Sequence, residues 1–259
     1  MKFILIIFCL AFTSAWGFRI PSYIWPWARE NRIVGGQTTQ INERPYQVSV
    51  LRYNQHNCGG VILNKEYILT AAHCFNDVTH HSEIQVRVGS TNAYHGGIIV
   101  DVEDITVHEL YNENYTNYDV AVVKLAYPLR FDKNIKAAVL AEDGYEPEIN
   151  SKVTVSGWGS LSYLGPYPEE LQQVDLQVAD HDDCYIAYMA HLDLAESQIC
   201  ATVPGGVKDS CTGDSGGPLT EDGVVVGIVS FGVRCAEPDY PGVYSRIGFY
   251  RKWIDANSK

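Results

Sequence analysis

The chain has 259 residues, 46% of them hydrophobic and 19% charged, with seven cysteines and a formal charge of −12. A balance this acidic argues against nucleic-acid binding, which needs a basic face, and no internal repeat or low-complexity stretch interrupts the sequence. Residues 1–32 carry four basic residues against one acidic, so the chain from Ile33 onward carries −15. Solubility of an exported protein is the simplest explanation of that charge, with attraction of basic substrates as a second one.

In chain order, Lys2, the apolar run 3–15 and the small residues around Gly17 read as a secretory signal over 1–17. About 13 apolar residues are too few to span a bilayer. Cleavage after Gly17 fits best, with a cut after Ala15 as the alternative. No later stretch is long and apolar enough to cross a membrane as a helix. The expectation is a secreted, extracellular product with no membrane partner. Residues 18–32 then form a short leader ending in Arg29-Glu30-Asn31-Arg32. The 227 residues from Ile33 onward suffice for one domain or two small packed lobes.

Ten segments read as strands: 46–51, 60–63, 67–70, 83–88, 98–107, 120–125, 152–156, 174–178, 224–231 and 242–247. They are short, rich in Val and Ile, and punctuated by Gly, Pro, Asn and Asp. That pattern predicts an all-β chain of paired antiparallel barrels. Two helical pieces interrupt it. One spans 180 to about 189 and opens with acidic residues suited to a helix N-terminus. The other ends the chain, where Phe249, Tyr250, Trp253 and Ile254 recur at helical spacing and should pack on the core.

Cys9 leaves with the signal, so six cysteines remain: Cys58, Cys74, Cys184, Cys200, Cys211 and Cys235. An even set in a secreted chain implies disulfides, although six allow fifteen pairings. A zinc site is disfavoured because the set contains no C-x-x-C pair.

Three segments carry chemistry. Lys208-Asp209-Ser210-Cys211-Thr212-Gly213-Asp214-Ser215-Gly216-Gly217-Pro218 sets a serine among glycines. Such a backbone can expose a nucleophile and leave amide N–H groups free for an anion. Taken alone, the run could be a glycine-rich turn. Leu69-Thr70-Ala71-Ala72-His73-Cys74 ends an apolar run in histidine, and Tyr118-Asp119-Val120-Ala121-Val122-Val123 leads an aspartate into a strand. A serine hydroxyl attacks only when a base takes its proton, and imidazole titrates near neutral pH. A carboxylate then orients the ring and stabilises the imidazolium.

With Ile33-Val34-Gly35-Gly36, Ser156-Gly157-Trp158-Gly159 and Pro241-Gly242-Val243-Tyr244, these motifs resemble the chymotrypsin-fold serine peptidases, closest to invertebrate trypsins, from Ile33 to about Asn257. The resemblance implies two packed six-stranded antiparallel β-barrels with a C-terminal helix. It implies a peptidase domain over 33–259 that uses His73, Asp119 and Ser215 as catalytic residues, with Gly213 and Ser215 as the oxyanion hole. It selects the pairs Cys58–Cys74, Cys184–Cys200 and Cys211–Cys235. Residues 18–32 become an activation peptide: a cut after Arg32 frees the Ile33 amine, which Asp214 captures. Asp209 matches the base of the specificity pocket, where a buried carboxylate needs a cation, so cleavage should follow Arg or Lys. Ser230, Gly232 and Gly242 match positions that line the pocket and the substrate strand. The implied partners are protein or peptide substrates and proteinaceous serine-protease inhibitors, acting on a monomer.

The sequence departs from the family in places. Phe231 stands where tryptophan is usual. Arg234 replaces a small residue at the pocket mouth, where it either shields Asp209 or favours acidic side chains nearby. The loop from Gly89 to Gly97 lacks the carboxylates of the family's calcium site, so no metal and no cofactor is expected. Two adjacent histidines, His80 and His81, read as solvated loop residues. Asn114-Tyr115-Thr116 is the one glycosylation sequon. The leading reading is a digestive, zymogen-derived trypsin. A cascade protease would carry extra N-terminal modules for which the leader has no room, and an inactive homologue would have lost a member of the triad.

Overall fold

The computed structural model describes residues 33–113, 117–190 and 194–259. The expected signal, leader and Arg32, together with Asn114 and its sequon, lie outside the described residues.

The first seven strands are β1 (Gln37–Thr38), β2 (Gln47–Arg52), β3 (Gln55–Ile62), β4 (Tyr67–Thr70), β5 (Ile84–Val88), β6 (Ile98–Val107) and β7 (Ala121–Leu125). Of these, β2-β3-β4-β7-β6-β5 close into an antiparallel barrel. The next seven are β8 (Val139–Leu140), β9 (Lys152–Gly157), β10 (Gln172–Val178), β11 (Gln198–Thr202), β12 (Pro218–Glu221), β13 (Val224–Phe231) and β14 (Gly242–Arg246). Strands β10-β11-β14-β13-β12-β9 follow one another, and β9 pairs back on β10 to close a second six-stranded ring. Two-residue β1 and β8 attach to its outside, on β10 and β13.

The strands form because their apolar residues alternate. In β10, Gln172, Val174, Leu176 and Val178 are buried while Gln173, Asp175 and Gln177 are not, the two-residue period of a pleated strand. Inward side chains from both rings merge into one core that includes Val48, Val86, Val122, Val155, Leu176 and Ile228. Truncating a fully buried member such as Ile228 to alanine would cost about 2–5 kcal/mol.

Helix α1 (His181–Tyr188) starts at Asp180, whose carboxylate accepts from the amides of Asp182 and Asp183 at 2.8 and 3.1 Å. Helix α2 (Ile247–Asn257) packs Ile247, Tyr250 and Ile254 on the core. Phe249 departs from the sequence expectation: it is 43% exposed. The reason is the helical period, because residues 247, 250 and 254 already fill the inward face. Phe249 instead lies edge-on to Tyr250 and beneath the Arg246 guanidinium. Two strands absent from the sequence reading, β11 and β12, complete the second ring. No helix among the described residues is long and apolar enough to cross a membrane.

Candidate active site

Register brings the first two groups together. Strand β4 pairs with β7, with Thr70 opposite Ala121. The chain leaving β4 turns at once into a 3₁₀ turn over Ala72–Phe75, while Asp119 precedes β7. His73 and Asp119 therefore meet at one end of the first barrel. The His73 backbone N–H donates to Asp119 Oδ1 at 2.9 Å, and ring Nδ1 donates to Oδ2 at 2.7 Å. Asp119 is 2% exposed. Its Oδ2 also accepts from the Ser230 hydroxyl at 2.5 Å, and Ser245 Oγ holds its carbonyl. Burial lowers the His73 pKa, but the Asp119 hydrogen bond and charge outweigh it, leaving the imidazole above its ordinary range.

Just before Asp119, Tyr118 sits at φ 58°, a left-handed conformation uncommon outside glycine. Stacking of its ring on His108, at 4.9 Å between centroids, and an edge contact with Tyr250 hold it there. The aromatic face of α2 thus helps to fix the turn that presents the carboxylate.

Ser215 lies in the loop between β11 and β12. Its carbonyl accepts from Gly59 N–H of the first barrel at 2.8 Å, and Gly216 N–H donates to Val229 O, so the loop is pinned to both rings. The Ser215 hydroxyl is not hydrogen-bonded to the His73 ring, as is common in such sites before substrate tightens them. Gly213 adopts φ 96°, and no hydrogen bond among the described residues takes the amides of Gly213 or Ser215. Two N–H donors on the Ser215 loop are therefore without a partner among the described residues.

Asp214 points the other way, into the second barrel, with no exposed surface. Its oxygens accept from the backbone amides of Gly159 at 2.8 Å and Cys211 at 2.9 Å. Burial pushes its pKa up to about 6 against those two hydrogen bonds, and no cation among the described residues pairs with it. A Cβ on Gly157 would come within 2.2 Å of Asp214 Oδ1, and one on Gly159 within 2.4 Å of its Cγ. That crowding explains both glycines of Ser156-Gly157-Trp158-Gly159. Ile33 opens a short 3₁₀ turn, Ile33–Gly35.

A cavity of about 250 Å³ opens beside Ser215. Its wall includes Asp209, Ser230, Gly232, Arg234 and Gly242. That volume falls below the ~300–1,000 Å³ of small-molecule clefts and suits a single side chain. Asp209 is 4% exposed. Its Oδ2 accepts from Ala236 N–H at 3.0 Å, and Oδ1 is buried without a partner. Burial raises its pKa to about 7, against the Ala236 hydrogen bond. A Cβ on Gly242 would approach Oδ1 to 2.7 Å, whereas one on Gly232 would meet only the Arg234 carbonyl, at 3.4 Å. Gly242 gives the carboxylate room, and Gly232 leaves the cavity wall bare. The Phe231 ring packs edge-on against Tyr188, on the side of α1.

Disulfides join Cys58 to Cys74, Cys184 to Cys200 and Cys211 to Cys235. The first ties β3 to the His73 turn, and the third ties the Asp209 segment to the cavity rim. Among the described residues, Cys58, His73 and Cys74 form the only grouping of potential metal ligands. Its two sulfurs are bonded to each other, so neither can serve as a thiolate.

One residue of the site escaped the sequence reading. His56, in β3, hydrogen-bonds through Nε2 to the Gly213 carbonyl at 2.9 Å and through Nδ1 to Ser49 Oγ at 2.7 Å. A carbonyl only accepts, so Nε2 carries the proton and Nδ1 accepts from the serine. Burial lowers the His56 pKa to about 4, which keeps the ring neutral. A lone histidine in a strand offers no signal of this in sequence. The loop from Gly89 to Gly97 is closed by internal donors. Arg87 donates to the carbonyls of Gly96 at 2.6 Å and Tyr94 at 3.1 Å, and Ser90 Oγ reaches those of Asn92 and His95.

Known proteins resemble this chain in sequence and in fold. The family model described as Trypsin matches residues 33–254. Trypsin alpha of Drosophila erecta is 39% identical over 252 residues, covering 96% of each chain. Trypsin of Simulium vittatum is 43% identical over 229 residues, covering 86% of this chain and 92% of its own. In the solved structures, neuropsin, a serine protease expressed in the limbic system of mouse brain, matches with a TM-score of 0.79 at 28% identity. That match covers 86% of this chain and 99% of neuropsin. With its two closed barrels and a family match over nearly all of the described residues, the chain belongs to the trypsin family and is a serine endopeptidase.

Proposed function

We propose that the protein is a secreted trypsin, made as a zymogen and activated by cleavage after Arg32, that hydrolyses peptide bonds following Arg or Lys. One observation carries the reading: Ser215 and the buried Asp209 carboxylate, one oxygen of which lacks a partner, line the same cavity. A carboxylate removed from water needs a cation, and a guanidinium or ammonium on a long stem is the substrate group able to reach it. Seating that group sets the same residue's carbonyl against the Ser215 hydroxyl.

In this mechanism His73 takes the Ser215 proton as Oγ attacks, and Asp119 stabilises the imidazolium. The amides of Gly213 and Ser215 receive the oxyanion. His73 then protonates the leaving amine, and water repeats the sequence to release the acyl group. Loss of one oxyanion donor slows such reactions by roughly 10²–10³-fold.

Zymogen activation follows from Asp214. A fully buried carboxylate, held among the described residues by two backbone amides alone, gains a partner when cleavage frees the Ile33 amine. Their pairing would order the Gly213–Ser215 backbone. Secretion rests on the apolar run 3–15, and a digestive role is the least specialised that fits this pocket. The test is a peptide-library cleavage profile of protein cut at Arg32–Ile33. Cuts after Arg and Lys that disappear in Asp209→Ser are expected. A preference for aromatic residues would refute the pocket assignment.

A further inference from the structure

We infer that Arg234 and Tyr163 form a subsite for an acidic substrate side chain, three or four residues upstream of the scissile bond. The inference deepens the Arg/Lys reading above and rests on it. Both residues line the mouth of the cavity that holds Asp209 and Ser215. The Arg234 guanidinium carbon lies 5.7 Å from the centroid of the Tyr163 ring, so the two loops meet across the opening. Arg234 does not turn inward to neutralise Asp209, whose Oδ1 is left without a partner. Of the two sequence expectations for Arg234, this geometry favours the contact with acidic side chains, since no direct pairing with Asp209 is made.

The guanidinium is presented for binding and is not consumed by the fold. Its nearest carboxylate, Glu237 Oε2, is 3.7 Å away, and the Arg234 side chain is 63% exposed. A pair that long and that wet contributes little. No hydrogen bond among the described residues uses any of its five donors. Yet the backbone carrying it is constrained. Arg234 has φ 61° and Ala236 φ 58°, on either side of Cys235, whose disulfide anchors the segment to Cys211. A non-glycine residue held left-handed beside a cross-link is costly in isolation, and here it fixes where the side chain leaves the rim. The Tyr163 ring beneath it supplies an apolar, electron-rich floor.

Position along the substrate follows from the strand. A substrate pairing antiparallel with the end of β13 sets the residue that enters the cavity near Ser230. The chain runs on past the end of β13 at Phe231 to Arg234, which assigns the guanidinium to the third or fourth residue upstream. A substrate carboxylate there would accept charge-assisted hydrogen bonds from the guanidinium. It would also offset the repulsion between Arg234 and the basic residue entering the cavity.

The experiment uses activated enzyme and internally quenched peptides with Arg before the scissile bond and Asp, Ala or Lys at the second to fourth upstream positions. Asp is expected to exceed Ala in kcat/KM by about three- to tenfold at low salt, mainly through KM, at the third or fourth position. The order Asp, Ala, Lys should flatten as added salt screens the contact. Arg234→Gln should bring the Asp/Ala ratio to near one, Arg234→Lys should retain part of it, and Glu237→Gln should increase it. Efficient cleavage after Arg with no dependence on these positions overturns the subsite alone. An unaltered ratio in Arg234→Gln overturns it equally. Failure to cleave after Arg in every peptide sinks both the subsite and the reading beneath it.

Discussion

Ser230 Oγ donates at 2.5 Å to Asp119 Oδ2, the same oxygen that accepts from His73 Nδ1 at 2.7 Å. One carboxylate of the first barrel is thereby held by a hydroxyl from the second. Removing that hydroxyl in Ser230→Ala leaves the His73 ring as the only side chain on Oδ2. The carboxylate charge is then shared with no other side chain among the described residues, and the imidazolium is stabilised further. The acid limb of the kcat/KM profile, which reports neutral imidazole, should move to higher pH. Stability should fall by about 1.5–3 kcal/mol for the lost hydrogen bond to a charged group. A pH–rate profile of both proteins reads the shift, and a limb that stays in place contradicts this role.

The His73–Asp119 pair makes its own pH statement. The folded pKa of His73 is raised, so the pairing contributes full stability below the unfolded value of ~6.5. That contribution is lost as pH rises through the higher folded value. Asp119→Asn should lower the imidazole pKa, flatten this dependence, and cut kcat by roughly 10⁴-fold. Thermal unfolding across pH 5–9, with parallel kinetics, checks both outcomes.

Asp209 acts in the same direction, but through burial and not through a charged partner. Its folded pKa is raised by burial to about 7 from 3.8. Between those values the folded state holds a proton that the unfolded state has lost, so stability falls as pH rises through this window. Asp209→Asn should therefore unfold at a higher temperature than the wild type at pH 8. Benzamidine, a cationic probe of the cavity, should bind more tightly as pH rises through 7, and calorimetry at several pH values measures this. Affinity independent of pH would count against a buried, proton-holding carboxylate.

His56 should act as a positioning residue through Gly213. Its neutral ring donates to the Gly213 carbonyl, which fixes the direction of the adjoining amides. In His56→Ala, kcat should fall by about tenfold or more while KM changes little, because an oxyanion donor is misdirected. Equal losses in kcat and in stability, without that split, would indicate packing alone.

The loop from Gly89 to Gly97 should be indifferent to metal. Arg87 and Ser90 already engage four of its carbonyls. Chelator should leave the unfolding midpoint unchanged, whereas Arg87→Ala should cost about 1.5–3 kcal/mol.

Much of this architecture is visible in the chain itself. The alternation of β10 and the valine-rich β7 mark strands without help, and Asp180 marks the start of α1 because its carboxylate can cap the following amides. Strand β11 is not marked: Gln198-Ile199-Cys200-Ala201-Thr202 forms no alternating apolar–polar pattern, and its buried Gln198 reads as a surface residue. Strand β12 begins at Pro218, inside the glycine-rich run, where proline and glycine signal a turn. The helical stripe of α2 places Phe249 inward only if the helix axis is unknown. The site divides the same way. Motifs point to His73, Asp119, Ser215 and Asp209, but the His56–Gly213 hydrogen bond and the Arg234–Tyr163 contact depend on tertiary packing.

The most direct single measurement reacts the activated enzyme with two diphenyl phosphonates, one bearing an arginine-like side chain and one a benzyl side chain, and maps the adduct by mass spectrometry. The account predicts one adduct, on Ser215, formed far faster by the cationic reagent. Faster reaction of the benzyl reagent, or an adduct at any other residue, would contradict it.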